Sequence, residues 1–115
     1  MKLPDSEKVI IPKAKITDYL LSLKHRDGCS KAKFFLRFGF SQEKWKTFAL
    51  ALKQHAVQHE IAGMEKSNFG KRYIIEGTLV SLDERNPSIR SVWFIKHGTD
   101  QPIFVTAYPL KGKTT

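Results

Sequence analysis

A single cysteine, Cys29, stands in 115 residues, so no disulfide can close within the chain. No apolar run approaches the roughly 20 residues of a membrane-crossing helix. The opening stretch MKLPDSEKVIIPKAK carries charges throughout and lacks the apolar centre of a secretory leader. These absences lead to the expectation of a cytoplasmic protein with no membrane partner. Acidic residues are also scarce, 11 against 20 Lys plus Arg, for a net charge of +9. That surplus suits a polyanionic partner, whether nucleic acid, an anionic membrane face or an acidic protein, and charge alone does not choose among them.

Motifs for cofactors and metals are equally sparse. His-Arg-Asp at 25–27 matches part of a kinase catalytic loop, but no glycine-rich loop accompanies it. Gly112-Lys113-Thr114 lacks the earlier glycine of a phosphate loop, because Ala107 occupies that place. Asn86-Pro87-Ser88 carries proline where a glycosylation site forbids it. His55 and His59 are four apart on a helical pattern, yet no carboxylate completes a zinc-binding motif, and a buried structural role is expected. Cys29 and His25 share one loop, which is weak ground for a nucleophile and its base. No metal and no cofactor is expected.

What is present is a core. The chain is 41% apolar and 11% aromatic, enough for one domain over residues 1–115. Residues 1–10 read as a polar lead-in, 11–60 as a helical layer, 61–109 as an antiparallel sheet, and 110–115 as a tail. Ile16, Tyr19, Leu20 and Leu23 fall at i, i+3, i+4 and i+7, one stripe of a helix after Pro12, and Gly28 breaks the pattern. Ser30 is placed to cap a short helix bearing Ala32, Phe35, Leu36 and Phe38 that stops at Gly39. Ser41 caps a longer one over about 42–59, with Trp45, Phe48, Ala49, Leu52 and Ala56 on one arc.

After Ile61 the period changes to two. Asn68 and Gly70 mark a hairpin, Glu84–Ser88 and His97–Pro102 mark turns, and the segments between alternate as strands. The expected fold is α+β: an N-terminal layer of about three helices packed on a four-stranded antiparallel meander.

Alternation sorts the strands into two faces. Tyr73, Ile75, Leu79, Ile89, Trp93, Ile95, Ile103, Val105 and Ala107 form an apolar set that faces the helices. Arg72, Glu76, Thr78, Arg90, Val92, Phe94, Lys96, Phe104, Thr106 and Tyr108 form the other set. Cations interleaved with aromatic rings suit a nucleic-acid strand, whose phosphates need charge and whose bases stack. A merely solvated face is the plainer alternative.

Individual side chains carry candidate chemistry. Lys31 would follow Ser30 at the first helical position, where outward N–H groups favour anions. His25, near a helix end, is a candidate general acid or base. Glu76, with Arg72 four residues before it and Arg90 across the sheet, reads as a paired structural carboxylate. Thr106 and Tyr108 are hydrogen-bond donors for phosphate oxygens, or ordinary strand formers.

The runs ITDYLLSLKHRDGCSKAKFFLRFGF, KRYIIEGTL and IRSVWFIKHGTDQPIFVTAYP resemble a bacterial family of small proteins carrying a domain of unknown function. The same domain occurs as the C-terminal module of polymorphic and phage-head-associated toxins. The resemblance spans about residues 11–109, most specifically in His25, Gly28, Lys31, Ala32, Phe34 and Phe35, the SVWFI strand and the closing VTAYP. The sequence departs from the family where a proline often follows the histidine; Arg26 stands here. The helices-then-sheet layout is also similar to the barnase–EndoU–colicin–RelE group of metal-independent ribonucleases.

The resemblance implies a metal-independent ribonuclease toxin, with RNA as substrate and an acidic antitoxin or immunity protein as partner. His25, Lys31, Arg72 and Thr106 are then the expected catalytic set. Arg90, Lys96, Phe94 and Tyr108 are the expected nucleic-acid contacts. A non-catalytic module that binds nucleic acid or an acidic protein through the same face is the alternative, and a structural subunit is a third reading.

Overall fold

The computed structural model describes residues 2–26 and 29–110. The break expected at Gly28 and the tail motif at 112–114 lie outside the described residues. The chain runs through a short helical turn (Ser6–Lys8) and α1 (Lys13–Lys15), which continues into a wider π-turn (Ile16–Leu20). Then come α2 (Cys29–Leu36), α3 (Trp45–Gln58), β1 (Ile61–Lys66), β2 (Gly70–Thr78), β3 (Ser88–Lys96) and β4 (Ile103–Pro109). The strands pair antiparallel in the order β1-β2-β3-β4. The fold is thus α+β, three helices on a four-stranded meander.

The first helix differs from the expected stripe for a local reason. Leu21 N–H donates to the Ile16 carbonyl at 2.8 Å, five residues back, so the turn is one residue wider than α. The widening rotates the following residues: Leu21 joins Ile16 and Leu20 in the core, and Leu23 is left 56% exposed. The second helix begins at Cys29 rather than after a Ser30 cap, so Lys31 is its third residue. Ser41 accepts from the Lys44 N–H at 3.3 Å and caps a turn, and the third helix starts only at Trp45.

Phe48, Leu52 and Ala56 of α3 join Phe35 and Phe40 against Tyr73, Ile75, Ile89 and Trp93 of the sheet. The lead-in also contributes: Leu3 is buried in this core, and Ile10 forms a parallel bridge to Ile103 on the edge of β4.

The last strand overturns part of the expected face assignment. Val92 pairs with Thr106 but Trp93 pairs with Phe104, so Val105 is an extra residue in β4. Such a bulge reverses the alternation on one side of it. Phe104 therefore turns inward, fully buried, its ring 5.3 Å from Trp93, while Ile103 is 40% exposed and Val105 half-buried. Phe104 is not on the polar face. Val92, which shares that face with Arg90 and Phe94, is also buried.

α3 and the sheet are joined by a buried polar chain. Trp93 Nε1–H donates to Ser91 Oγ at 2.9 Å, and Ser91 Oγ lies 2.9 Å from His55 Nδ1. His55 Nε2 lies 3.1 Å from the Gly77 carbonyl, which can only accept. So Nε2 carries the proton, Nδ1 accepts from Ser91, and each polar atom is satisfied by the neutral imidazole. His59 caps the arrangement, donating from Nε2 to the Thr78 carbonyl at 2.8 Å with its ring 5.0 Å from that of His55.

Gly77 permits this close approach, because a Cβ there would stand 2.6 Å from the His59 ring. Gly77→Ala is expected to destabilise the fold by about 1–3 kcal/mol through overpacking. Urea unfolding checks it: much of the loss should be recovered when His59→Ala is added.

Candidate functional site

The π-turn, α2 and β4 meet at a cluster centred on a tyrosine. Tyr19 projects from the π-turn and Lys31 from the first turn of α2, and Lys31 Nζ donates a short hydrogen bond to the Tyr19 hydroxyl. Thr106 completes the triangle, its Oγ1 3.2 Å from the Tyr19 hydroxyl and 3.4 Å from Lys31 Nζ. The ammonium also lies 4.8 Å from the Tyr19 ring centre and 5.9 Å from that of Tyr108. His25 packs edge-to-face on the Tyr19 ring at 4.9 Å, and its carbonyl accepts from the Cys29 N–H at 3.0 Å, tying it to the start of α2. Ser30, Lys31, Tyr108 and Pro109 line a cleft of about 330 Å³ beside this cluster.

Among the described residues, the partners of Lys31 are hydroxyls and rings, not a carboxylate. Among those residues its charge is held in place by neutral groups, which is what an anion-binding group requires. The Tyr19 phenol feels the consequence. Burial pushes its pKa up, but the hydrogen bonds with Lys31 and Thr106 and the charges of Lys31 and Lys15 outweigh burial and hold it below the ordinary tyrosine value.

Next along the sheet, Arg90 Nε donates to Glu76 Oε2 at 2.7 Å and its guanidinium lies 5.8 Å from the Tyr108 ring. Contact with Tyr108 and then with Glu76 raises the Arg90 pKa further. Glu76 is thus the paired carboxylate that its position suggested.

The expected site residues separate into two groups. Lys31 and Tyr108 line the cleft, Thr106 reaches Lys31, Arg90 lies against Tyr108, and His25 joins the cluster through the Tyr19 ring. Arg72, Phe94 and Lys96 are on the same sheet face but elsewhere. Arg72 pairs in register with Phe94 and forms an ion pair with Glu65 at 3.7 Å. Its Cα is two strands and two residues from Thr106, about 12 Å by strand geometry. Lys96 stands opposite Gly70 at the far end of β3.

Sequence reasoning missed Tyr19 as part of the cluster because it read only as one member of an apolar stripe. Its hydroxyl was the available signal, since a half-buried tyrosine has to find that group a partner. His55 and His59, the pair with chelating spacing, each bond to a backbone carbonyl, and among the described residues no group of three or more His, Cys, Asp or Glu stands together.

A two-layer α+β domain with a hydroxyl-held lysine in a cleft lined by Tyr108 is the class that fold and site define. The chain belongs to the family described as Domain of unknown function (DUF6883), whose profile matches residues 2–111. Comparison with curated proteins gives no match. Among solved structures, a chain of the contact-dependent growth inhibition toxin–immunity protein complex from Klebsiella pneumoniae 342 has a similar fold. The TM-score is 0.70 at 14% identity, covering 88% of this chain and 99% of that one.

Proposed function

We propose that the protein is the RNA-cleaving toxin module of a bacterial toxin–immunity or toxin–antitoxin system, acting without a metal at the cleft between α2 and β4. The observation that carries this reading is Lys31, an ammonium at the cleft fixed by the hydroxyls of Tyr19 and Thr106, with no carboxylate partner among the described residues. The likeness of fold to a chain of a toxin–immunity complex supports the biological setting and an acidic immunity or antitoxin protein as partner, by analogy of fold.

The chemistry suits RNA's own nucleophile. His25 takes the proton of a 2′-hydroxyl as that oxygen attacks the adjacent phosphorus, and the bond to the 5′-oxygen breaks. The products are a 2′,3′-cyclic phosphate and a 5′-hydroxyl. Lys31 and Thr106 meet the charge that builds on the phosphorane oxygens. The Tyr19 phenol, made more acidic by Lys31, supplies the proton to the departing oxygen. Tyr108 and Arg90 hold the neighbouring nucleotide, and Arg72, Phe94 and Lys96 contact RNA beyond the cleft.

Purified protein is expected to convert RNA to products ending in cyclic phosphate at equal rates with and without chelator. Activity abolished by chelator and restored by a divalent ion would overturn the metal-independent mechanism. One observation favours a second reading, a module that binds RNA without cutting it. Arg90 is already paired with Glu76, which leaves less of its charge for phosphate. Binding with no product at any enzyme concentration would establish that reading instead.

A further inference from the structure

The hairpin between β1 and β2 carries Phe69 with 75% of its surface exposed. The ring stands on a backbone held from several sides. Ser67 N–H donates to the Gly70 carbonyl at 2.9 Å, and Phe69 N–H to Ser67 Oγ at 3.2 Å. His97, just past β3, donates its backbone N–H to the Phe69 carbonyl at 2.9 Å and its Nε2–H to the Ser67 carbonyl at 3.2 Å. Gly70 lets the hairpin lie flat on β3: a Cβ there would stand 2.2 Å from the Ile95 carbonyl and 2.9 Å from the Phe94 ring. With the backbone held, only the side-chain torsions of Phe69 remain to be ordered when the ring binds something.

Cations flank the hairpin on both faces of the sheet: by register Lys66 and Lys71 share the face of Tyr73 and Ile95, and Lys96 the face of Arg90 and Phe94. Lys66 and Lys71 are directly opposite in the ladder, an arrangement that costs stability, and Lys96 faces Gly70. The nearby carboxylates are mostly engaged: Glu65 with Arg72 at 3.7 Å, and Asp100 with Lys8 at 2.7 Å. Asp5 shares a groove with Lys71 and Lys96 and offsets one of the charges. By register, Arg90, Phe94 and Lys96 lie on one face of β3, and Arg90 to Lys96 spans about 20 Å of strand.

We propose that this hairpin is a second nucleic-acid contact, a grip for single-stranded RNA that leaves the cleft along β3. Phe69 stacks on a base; Lys96 meets a phosphate on the β3 face, and Lys71 and Lys66 meet those that follow as the strand rounds the end of the sheet, where Lys71 and Lys96 share a groove. The proposal rests on the cleft's RNA reading for the identity of the strand. A projecting ring suits a base, which offers its whole face, better than a protein partner, whose hot-spot aromatics fill pockets.

The test uses a labelled 2′-O-methyl oligoribonucleotide of about 20 nucleotides, which cannot be cut at its 2′ positions, and measures its binding to the full chain by anisotropy. Phe69→Ala is expected to weaken binding about 5- to 150-fold and Phe69→Trp to retain it. Lys66→Gln with Lys71→Gln should flatten the salt slope by about 1.4. Unchanged binding in both the Phe69→Ala and the double lysine variants would overturn the grip, as would a wild-type chain that does not bind the oligonucleotide. Polyglutamate bound equally well, with the same loss in Phe69→Ala, would overturn it in favour of an acidic protein partner. Binding that depends on Phe69 in a protein that cuts no RNA would uphold the grip and defeat only the cleavage reading.

Discussion

His25→Ala is expected to slow RNA cleavage roughly 10²- to 10⁴-fold, the usual contribution of a positioned proton-transfer group. Affinity for an uncleavable analogue should stay close to that of the wild type. The imidazole makes a T-shaped contact with the Tyr19 ring, and its truncation leaves the Lys31–Tyr19–Thr106 triangle its own hydrogen bonds. Lys31→Ala should behave differently, lowering both rate and affinity, because the ammonium both attracts phosphate and stabilises its transition state. It should also return the Tyr19 phenol toward the ordinary tyrosine value, which ultraviolet titration of tyrosinate reads without reference to catalysis. Expression in bacteria gives a coarse version of the test. The intact chain should slow growth, and His25→Ala at equal soluble yield should not. Equal growth with the two proteins, together with equal cleavage rates in vitro, would remove His25 from the mechanism.

Acid is expected to destabilise the fold from about pH 6.5 downward through one buried imidazole. Burial, followed by the nearby His59, pushes the His55 imidazole down to about 4 from an ordinary 6.5, against the opposing pull of the Gly77 and Ile89 carbonyls. Between those values the unfolded chain binds a proton that the folded chain refuses. The contribution is therefore complete above pH 6.5 and is lost as pH falls toward 4, a difference of about 3 kcal/mol. Urea unfolding followed by tryptophan fluorescence at several pH values between 7.5 and 4 checks this. His55→Gln should be less stable at pH 7.5 but show a flatter dependence across the same window. Parallel slopes in the two proteins would place the sensitivity elsewhere. Asp83 and Asp100 are held below the usual carboxylate range, first by the Ser81 hydroxyl and Lys8 respectively, so their contributions disappear only at lower pH.

The sheet was legible from sequence because its signals are local and redundant. Alternation in IRSVWFIK, turn residues at Asn68 and Gly70, and the Glu84–Ser88 break point to the same meander that the strands form. The π-turn was not legible, since the apolar residues at 16, 19, 20 and 23 fit an ordinary helix and only packing chose Leu21 over Leu23. Nor was the Val105 bulge, because both phases of IFVTAY are apolar enough to bury. Pairing Phe104 with the large, fully buried Trp93 decided it, and that contact lies eleven residues away in sequence.

The neighbours of Lys31 show the same division. Its position near the start of a helix was readable from the short pattern around it. Tyr19 and Thr106 reach it from other elements, 12 and 75 residues away along the chain.

The extra residue in β4 has a mechanical effect. Beyond it, Thr106 and Tyr108 point to the cleft; before it, Phe104 points to the core. Without the extra residue, one alternating register would govern both ends of the strand, and the inward demand of Phe104 would dictate which residues met Lys31. The bulge works as a clutch between two stretches of one strand. Packing around Trp93 can drift over evolutionary time without turning the hydroxyls away from their lysine, and the cleft can change its chemistry without reopening the core.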